Sequence, residues 1–248
     1  MKVIDLASSI IITISTESSM REVLDVLSKD PSGRVVVLKE EKPIGIVSTR
    51  DVVASFSEYG LDIINLKAKD IMSQDLVSVS PNEEVNEVVR LMLSKGIGGV
   101  PIVDNNVLVG IFTEREVLKL LTSNNFSGII DSVMSKDVIC IGEESDILNA
   151  AKTMTRYNIR RLPVMKDDKL VGIITAADIV KFIAKNDKIG KVLDAGSKNL
   201  ITVSRYERIW RAAKIMIDKR IGTLPVVENE KLIGIVTERD LMYAFLNV

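Results

Sequence analysis

The heptapeptide GIVTERD, residues Gly234–Asp240, has three counterparts earlier in the chain: GIVSTRD at Gly45–Asp51, GIFTERE at Gly110–Glu116 and GIITAAD at Gly172–Asp178. Every copy has a glycine, two apolar residues, a hydroxyl residue, two variable positions and an acid. The four glycines are separated by 65, 62 and 62 residues. A motif that returns at nearly fixed spacing indicates an internal repeat, and a repeat of this length decides the fold.

An apolar stripe keeps the same register as the heptapeptide. Its members are spaced i, i+3, i+4 and i+7, which predicts a helix with one buried face. The shifts between stripes are again 65, 62 and 62 residues, so the helix and the heptapeptide belong to one unit. The four stripes are Met20, Val23, Leu24 and Leu27; Val85, Val88, Val89 and Met92; Ile147, Ala150, Ala151 and Met154; and Ile209, Ala212, Ala213 and Met216.

The segments around each stripe complete the unit. A short β-rich segment precedes the helix, and two β-runs separated by a polar turn follow it, which predicts a hairpin. The hydroxyl residue ends the second hairpin strand, and a second helix begins there. The unit is therefore β-α-β-β-α, and the sequence predicts four of them, at residues 1–60, 67–125, 128–187 and 188–248, referred to below as repeats 1 to 4.

Units of about sixty residues bury too little apolar surface to be stable alone, so we expect them to pair. Four units most simply make two pairs, joined near the loop Thr122–Asp131. The stretch SEYGLDIINLKAK, which joins repeats 1 and 2, is partly apolar and is predicted to be a packed linker.

The composition argues against several classes of function. The chain has no histidine and one cysteine, Cys140, which excludes His-dependent catalytic triads, an internal disulfide and a cysteine metal cluster. We expect no enzyme, metal or prosthetic group. The 33 basic and 34 acidic residues give a net charge of −1, which provides no bulk attraction to nucleic acid. No apolar run reaches the roughly 18 residues of a membrane span, and MKVIDLASS lacks a secretory apolar region, so we expect a cytoplasmic protein without membrane contact.

The hydroxyl and acid of the heptapeptide allow two interpretations. They match a capping box, in which the two side chains accept hydrogen bonds from free N–H groups at the start of a helix. Such a cap stabilises the helix by about 0.5–2 kcal/mol. The same geometry can also bind a ligand, because a helix N-terminus attracts phosphate and a carboxylate can accept both hydroxyls of a ribose. The residues alone leave both interpretations open.

The β-α-β-β-α unit with G-h-h-[ST]-x-x-D on its second hairpin strand resembles the CBS domain, named for cystathionine β-synthase. The resemblance covers essentially the whole chain in four copies and implies an α+β fold of two tandem pairs, called Bateman modules. The layout is similar to that of the γ subunits of AMP-activated protein kinases. It implies a non-catalytic regulatory protein that binds an adenine nucleotide (AMP, ADP or ATP) in clefts between paired repeats and transmits the change to a protein effector.

The resemblance also implies roles for individual residues. The hydroxyl would contact phosphate and the acid would contact ribose in each copy, although Glu116 departs from the usual aspartate and suits a capping box better. Basic residues at or just before the first hairpin strand would approach the phosphates; the best candidates are Arg160 and Arg161, followed by Arg34. The expected hydroxyl and acid pairs are Ser48 with Asp51, Thr113 with Glu116, Thr175 with Asp178, and Thr237 with Asp240.

Other interpretations stay open at this point. Arg50, Arg115 and Arg239 precede the acid and could either meet phosphates or be solvated helix-start residues. The whole chain could be a ligand-free interaction scaffold, or a CBS protein that binds nucleic acid. Besides a small adenosine ligand and an unidentified protein effector, a second copy of the chain is a possible partner.

Overall fold

The computed structural model describes residues 1–123 and 126–247. None of the helices in those two ranges combines the length and the apolar composition that a bilayer crossing requires. The strands are β1 Thr13–Ser15, β2 Arg34–Lys39, β3 Lys42–Ser48, β4 Gly99–Asp104, β5 Val107–Thr113, β6 Ile141–Gly142, β7 Arg161–Lys166, β8 Lys169–Thr175, β9 Thr223–Glu228 and β10 Lys231–Thr237. The α-helices are α1 Met20–Lys29, α2 Thr49–Tyr59, α3 Ala68–Ile71, α4 Val85–Lys95, α5 Glu114–Ser123, α6 Ile147–Tyr157, α7 Ala176–Lys185, α8 Val192–Ala195, α9 Ile209–Lys219 and α10 Glu238–Leu246, with 3₁₀ turns at Val3–Asp5, Gly60–Asn65 and Ile130–Ser132.

The first helix of each repeat confirms the prediction from the apolar stripes. The buried residues of α1, α4, α6 and α9 are the four predicted quartets. Their spacing places one face of each helix in a core, as a 3.6-residue period requires.

The predicted hairpins are present in all four repeats. The strands β2 and β3 pair antiparallel, as do β4 with β5, β7 with β8, and β9 with β10. Their turns have two residues; in Glu40–Glu41, Asn105–Asn106 and Asn229–Glu230 both have positive φ. Positive φ at both central residues is the geometry of a type I′ turn, which matches the twist of the two strands.

The predicted first strand is shorter than expected in two repeats. The segment is a strand, parallel to its hairpin, as β1 in repeat 1 and β6 in repeat 3, but only a single bridge, Val79 to Ile102 or Val203 to Val226, in repeats 2 and 4. The N–H of Val36 donates to the carbonyl of Ile12 at 3.1 Å and extends β1. Repeats 2 to 4 have proline at the position of Val36, and proline has no N–H to donate.

The chain forms two compact units, each built from two repeats. One unit consists of Ile11–Leu76 and Ile139–Leu200, which are the bodies of repeats 1 and 3. The other consists of Met1–Ile10, Val77–Val138 and Ile201–Val248, which include the bodies of repeats 2 and 4. We call them the 1/3 unit and the 2/4 unit. The loop Thr122–Asp131 lies within the 2/4 unit, and its residues Asn124 and Asn125 are outside the described ranges.

Helix packing builds the core of each unit. In the 1/3 unit, α2 packs on α6 and α7, and α1 packs on α7. One buried cluster there contains the stripes of both α1 and α6. In the 2/4 unit, α5 packs on α9, and α10 packs on both α5 and α4. Each repeat therefore covers its apolar helix faces with those of a second repeat, as the small size of the unit requires.

The tandem pairs are recognisable from exchanged leading segments. The first residues of each repeat, such as Met1–Ile10 of repeat 1, lie outside the compact unit that contains the rest of that repeat. They pack on the hairpin of the tandem partner, and we call them the exchanged segments. The chain thus links repeat 1 to repeat 2 and repeat 3 to repeat 4, as two Bateman pairs require. The bridges that fix the exchange are Ser8 to Ile111, Ile46 to Ser73, Ser135 to Ile235, and Ile173 to Ser197.

The repeated glycine makes room for this exchange. A Cβ on Gly45 would lie 2.5 Å from the carbonyl oxygen of Ser73, which belongs to the exchanged segment. On Gly172 it would lie 2.6 Å from Cδ2 of Leu193, and on Gly234 it would lie 2.8 Å from Sδ of Met134. The atom close to Gly45 is a backbone carbonyl oxygen, so space requires glycine there. At Gly172 and Gly234 the closest atom belongs to a flexible side chain, which would have to shift to admit a methyl group.

The linker between repeats 1 and 2 is packed, as predicted. It forms the 3₁₀ turn Gly60–Asn65 and then α3. Ile63 and Ala68 are both buried and belong to the core of the 1/3 unit.

Candidate functional site

Each repeat has one junction where its second hairpin strand passes directly into its second helix. The strands β3, β5, β8 and β10 end at the hydroxyl residue, and the helices α2, α5, α7 and α10 begin at the next residue. At three junctions the cap residue is extended, with φ of −115° at Ser48, −119° at Thr175 and −126° at Thr237. This conformation directs the first N–H groups of the helix and the cap side chain to the same place.

The third junction shows the bonding pattern in full. The hydroxyl of Thr175 donates to Oδ2 of Asp178 at 2.6 Å, and the N–H of Thr175 donates to the same oxygen at 2.9 Å. In return, the N–H of Asp178 donates to Oγ1 of Thr175 at 3.2 Å. The N–H of Ala176 donates to the carbonyl of Arg160 at 2.8 Å. The junction is a complete capping box, which confirms the capping interpretation of the motif.

The first and fourth junctions have the same arrangement. The hydroxyl of Ser48 donates to Oδ2 of Asp51 at 2.6 Å, and its N–H donates to that oxygen at 2.7 Å. The hydroxyl of Thr237 lies 2.8 Å from Oδ2 of Asp240, and the N–H of Thr237 lies 2.7 Å from it. At all three junctions the capping bonds end on one carboxylate oxygen. A carboxylate offers about four acceptor positions on its two oxygens, so capping does not exhaust it.

The environment of two of these acids shifts their pKa towards the neutral form. Burial raises the pKa of Asp51 and of Asp178 above the ordinary value, and this effect outweighs the hydrogen bonds from Ser48 and Thr175. The positive charge of Arg50 acts in the opposite direction on Asp51. Additional hydrogen-bond donors brought to either carboxylate would stabilise its ionised form.

The second junction differs from the others. The hydroxyl of Thr113 donates to Oε2 of Glu116 at 2.5 Å, and the N–H of Thr113 donates to that atom at 2.9 Å. The other oxygen, Oε1, lies 3.2 Å from Nζ of Lys119. Glu116 is 6% exposed, whereas the acids of the other three junctions are half-buried. Both carboxylate oxygens of the second junction are thus engaged by the protein.

The strand register places two of the predicted arginines beside a cap hydroxyl. Arg34 is the cross-strand partner of Ser48, and Arg161 is the cross-strand partner of Thr175. Directly paired residues of an antiparallel ladder have Cβ atoms about 4.5–5.5 Å apart. Arg160 precedes the strand and supplies the carbonyl that accepts from Ala176. The structure therefore brings Arg34 and Arg161 to the first and third junctions.

The other two repeats have uncharged residues at this cross-strand position. Gly99 lies opposite Thr113, and Thr223 lies opposite Thr237. Thr223 is 6% exposed, and its hydroxyl has no hydrogen-bond partner among the described residues. The two compact units thus differ in charge at this cross-strand position: both repeats of the 1/3 unit have arginine there, and neither repeat of the 2/4 unit does.

One contact in the 2/4 unit was missed by the sequence analysis. Arg239, at the second position of α10, donates from Nη2 to the carbonyl of Gly96 at 2.6 Å. Its Nε lies 3.9 Å from Oε1 of Glu114, the first residue of α5. The corresponding residues of the other repeats are Thr49, Ala176 and Glu238, so no repeated pattern singled out Glu114.

Comparison with known proteins identifies the family. The CBS-domain profile matches residues 3–58, 68–123, 130–185 and 192–247, which together span most of the chain. The chain belongs to the CBS-domain family. The matches also agree with the observed repeat bodies, since each contains one hairpin and the junction that follows it.

Two archaeal proteins are similar to this CBS-domain protein over most of its length. Protein MJ1225 of Methanocaldococcus jannaschii is 30% identical in an alignment that covers 95% of each chain. Its crystal structure, described as that of a proposed archaeal homologue of g-AMPK, covers 99% of this chain and 100% of that chain with a TM-score of 0.90 and 27% identity. A 33.4 kDa protein of Thermofilum pendens is 27% identical over 90% of this chain and 85% of its own.

Enzymes that carry CBS domains match only in part. Inosine-5'-monophosphate dehydrogenase of M. jannaschii is 36% identical over 66% of this chain but over only 34% of the enzyme. The similarity to that enzyme therefore leaves most of the enzyme unaligned.

Proposed function

We propose that this CBS-domain protein is a non-catalytic regulator that binds an adenine nucleotide at its strand–helix junctions, primarily those of repeats 1 and 3. The observation that carries the proposal is the combination found at these two junctions. Each has a cap hydroxyl, a half-buried carboxylate with spare acceptor capacity, and an arginine as cross-strand partner of the hydroxyl. AMP, ADP and ATP offer matching groups: phosphate for the arginine and hydroxyl, and ribose for the acid.

The ribose contact would relieve an unfavourable feature of the first and third junctions. Asp51 and Asp178 each lose solvation through burial, which raises the pKa of both. Two ribose hydroxyls donating to such a carboxylate would replace the lost water, and each bond to a charged group is worth about 1.5–3 kcal/mol. An apolar slot for adenine would complete an affinity in the micromolar range, about −8.2 kcal/mol.

The four junctions should differ in occupancy. We number the junctions 1 to 4 after their repeats. Junctions 1 and 3 have arginine at the cross-strand position, so they should bind nucleotides with more phosphate groups more tightly. Junction 4 keeps Thr237 and Asp240 but has Thr223 in place of the arginine, so adenosine and AMP should suit it better. Junction 2 should be the last to bind, because Glu116 is buried and Lys119 engages its second oxygen.

Similarity to MJ1225 supports a regulatory role for the whole chain. That protein matches over its full length with a TM-score of 0.90 and is described as a proposed homologue of g-AMPK. By analogy, the effect of the nucleotide would pass to a protein effector in the cytoplasm, with a homodimer as one possible assembly. The signal would be the ligand's preference for one arrangement of the repeats over another.

The test is calorimetry with adenosine, AMP, ADP, ATP and S-adenosylmethionine, combined with native mass spectrometry of the purified protein. The decisive variant is Asp178→Asn, which keeps an acceptor for the cap bonds of Thr175 but removes the charge. Asp146→Asn is the matched control, since Asp146 caps α6 of the same repeat by accepting from the N–H of Asn149 at 2.7 Å.

We expect Asp178→Asn to weaken nucleotide binding at one site about tenfold or more, and Asp146→Asn to leave it unchanged. Equal affinity of both variants and the wild type would refute the ribose assignment. Native mass spectra also report the number of subunits and any ligand that co-purifies.

A ligand-free scaffold is the second candidate, and the completeness of the caps favours it. In the third junction the hydroxyl proton, the first helical N–H and the third helical N–H are already used within the protein. A phosphate would have to draw the hydroxyl of Thr175 away from Asp178. The absence of heat with all five ligands, together with mass spectra of ligand-free protein, would establish the scaffold.

A further inference from the structure

Arg239 joins the fourth junction to repeat 2. It is the second residue of α10, between Glu238 and the acid Asp240. Its guanidinium donates to the carbonyl of Gly96, which is the C-cap of α4 with φ of +67°. The same guanidinium lies 3.9 Å from the carboxylate of Glu114. Both partners belong to repeat 2, and all of these residues are in the 2/4 unit.

The surroundings of these groups make the contact specific. The Glu114 side chain is 4% exposed and that of Arg239 is 25% exposed. A nearby cation stabilises a carboxylate buried to this extent, since a charge is costly to remove from water. The carbonyl of Gly96 is at the negative end of the dipole of α4, where a cation is also favoured. The planar guanidinium can serve both acceptors at once, whereas a lysine ammonium is a single point charge.

We propose that Arg239 is a positioning residue for the fourth junction and not a phosphate contact. By anchoring the first turn of α10 to Gly96 and Glu114, it fixes Asp240, the next residue, relative to the cap. Affinity at junction 4 then depends on Glu114, a residue of another repeat. The inference rests on the proposed function, since it concerns binding at one of the proposed junctions.

The 1/3 unit offers an internal contrast. Arg50 occupies the position of Arg239 in repeat 1, but repeat 3 has Ala176 where repeat 2 has Glu114. Arg50 instead acts electrostatically on its own neighbour, Asp51. Two arginines in equivalent places therefore serve different purposes, because only one of them faces an acid at the start of the opposing repeat's second helix.

The experiment isolates junction 4 in the full chain. Asp51→Asn and Asp178→Asn together form a background that weakens junctions 1 and 3, while Glu116 of junction 2 stays buried. In that background, Glu114→Gln and Arg239→Lys are compared by calorimetry with adenosine, AMP and ATP. Arg90→Gln is the matched control, because Arg90 is an exposed arginine of repeat 2 on α4, the helix that ends at Gly96, and it pairs with Glu87. Circular dichroism checks the fold of each protein.

A positioning role predicts the same loss for all three ligands. We expect Glu114→Gln and Arg239→Lys to weaken the binding of adenosine, AMP and ATP by one common factor of about fivefold or more, and Arg90→Gln to change the binding of none of them. A phosphate role predicts the opposite pattern. Arg239→Lys would then reduce ATP binding and spare adenosine, and Glu114→Gln would leave ATP binding unchanged or strengthen it by releasing the guanidinium. Either of those results overturns the inference.

The background protein separates this inference from the function on which it rests. If it binds none of the ligands with Glu114 and Arg239 intact, the proposed function fails at junction 4 and the positioning role falls with it. If it binds and the variants show the ligand-dependent pattern, only the positioning role is wrong. Should Glu114→Gln not fold, Arg239→Lys alone still decides, because it retains the charge and the two mechanisms give it different ligand profiles.

Discussion

Replacing Gly45 with alanine tests whether the glycine of the repeated heptapeptide is required by space. Its φ lies outside the left-handed region, so alanine can adopt the backbone conformation without strain. The added methyl group, however, would lie 2.5 Å from the carbonyl oxygen of Ser73 and 3.1 Å from Sδ of Met72. The carbonyl belongs to the exchanged segment that leads into repeat 2, and it cannot rotate away as a side chain can. Gly110→Ala is the matched control, since its methyl group would meet only side-chain atoms at 3.3–3.5 Å.

The expected magnitude follows from three contributions. Overpacking a well-packed site costs about 1–3 kcal/mol. Displacing Ser73 also strains the bond from its N–H to the carbonyl of Ile46, 2.9 Å long, which is worth about 0.5–1.5 kcal/mol. The reduced entropy of the unfolded chain returns about 0.4–1 kcal/mol. We expect Gly45→Ala to lower the free energy of unfolding by about 2 kcal/mol and Gly110→Ala to change it by less than about 0.5 kcal/mol.

Urea unfolding followed by far-ultraviolet circular dichroism measures both variants against the wild type. The urea concentration at the midpoint of unfolding ranks the stabilities of the proteins, provided that the slope of the unfolding free energy against urea concentration is the same for all of them. In a chain of this length a loss of about 2 kcal/mol should also lower the melting temperature by about 4–8 °C. Equal stability of the two alanine variants would refute the reasoning, because the repeated glycine would then owe nothing to the exchanged segment.

Three further outcomes are expected. Thr223→Val should raise the free energy of unfolding by about 1 kcal/mol, because it removes a buried hydroxyl without a partner among the described residues; a loss of stability in urea would contradict this. Asp51→Asn should become more stable relative to the wild type as the pH rises above 3.8, the ordinary pKa of this carboxyl. The wild type loses stability in that range because the pKa of Asp51 is raised in the folded state, which therefore holds the proton more tightly than the unfolded chain does. If urea titrations of the two proteins differ by the same free energy at every pH, burial does not perturb Asp51. Replacing Glu40–Glu41 with Asn-Gly should raise the melting temperature, because both glutamates have positive φ, whereas the same change at Asn105–Asn106 should have a smaller effect.

Periodicity predicted the secondary structure well because the signal repeats four times. The four stripes identified the buried face of every first helix, residue by residue. The length of the first strand was less predictable. The N–H of Val36 adds a bond to β1 that Pro101, Pro163 and Pro225 cannot make, yet repeat 3 still forms the two-residue strand β6. A β-rich segment can be recognised by composition, but the number of ladder bonds it makes depends on its partner strand.

The partner of each helix was beyond the reach of the sequence. A stripe shows that a helix buries one face, but not which helix covers that face. The tandem arrangement of repeats 1 with 2 and 3 with 4 is visible in the exchanged leading segments, whereas the helices pack repeat 1 with 3 and repeat 2 with 4. Glu114 was missed for the same reason, because its role exists only through Arg239 of a repeat more than a hundred residues away.

Capping and ligand binding need not be alternatives at these junctions. A cap that uses one carboxylate oxygen holds the acid in place while the second oxygen keeps its acceptor capacity, and the first and third junctions have this form. The second junction shows what happens when the protein itself uses both oxygens: Glu116 is buried and Lys119 occupies the remaining position. Repetition of the motif therefore follows from the helix start that every repeat needs, whereas binding depends on what surrounds each copy. Under the proposed function, a repeat would lose its ligand by one substitution, such as aspartate to glutamate, and keep its fold, because the capping bonds survive the change.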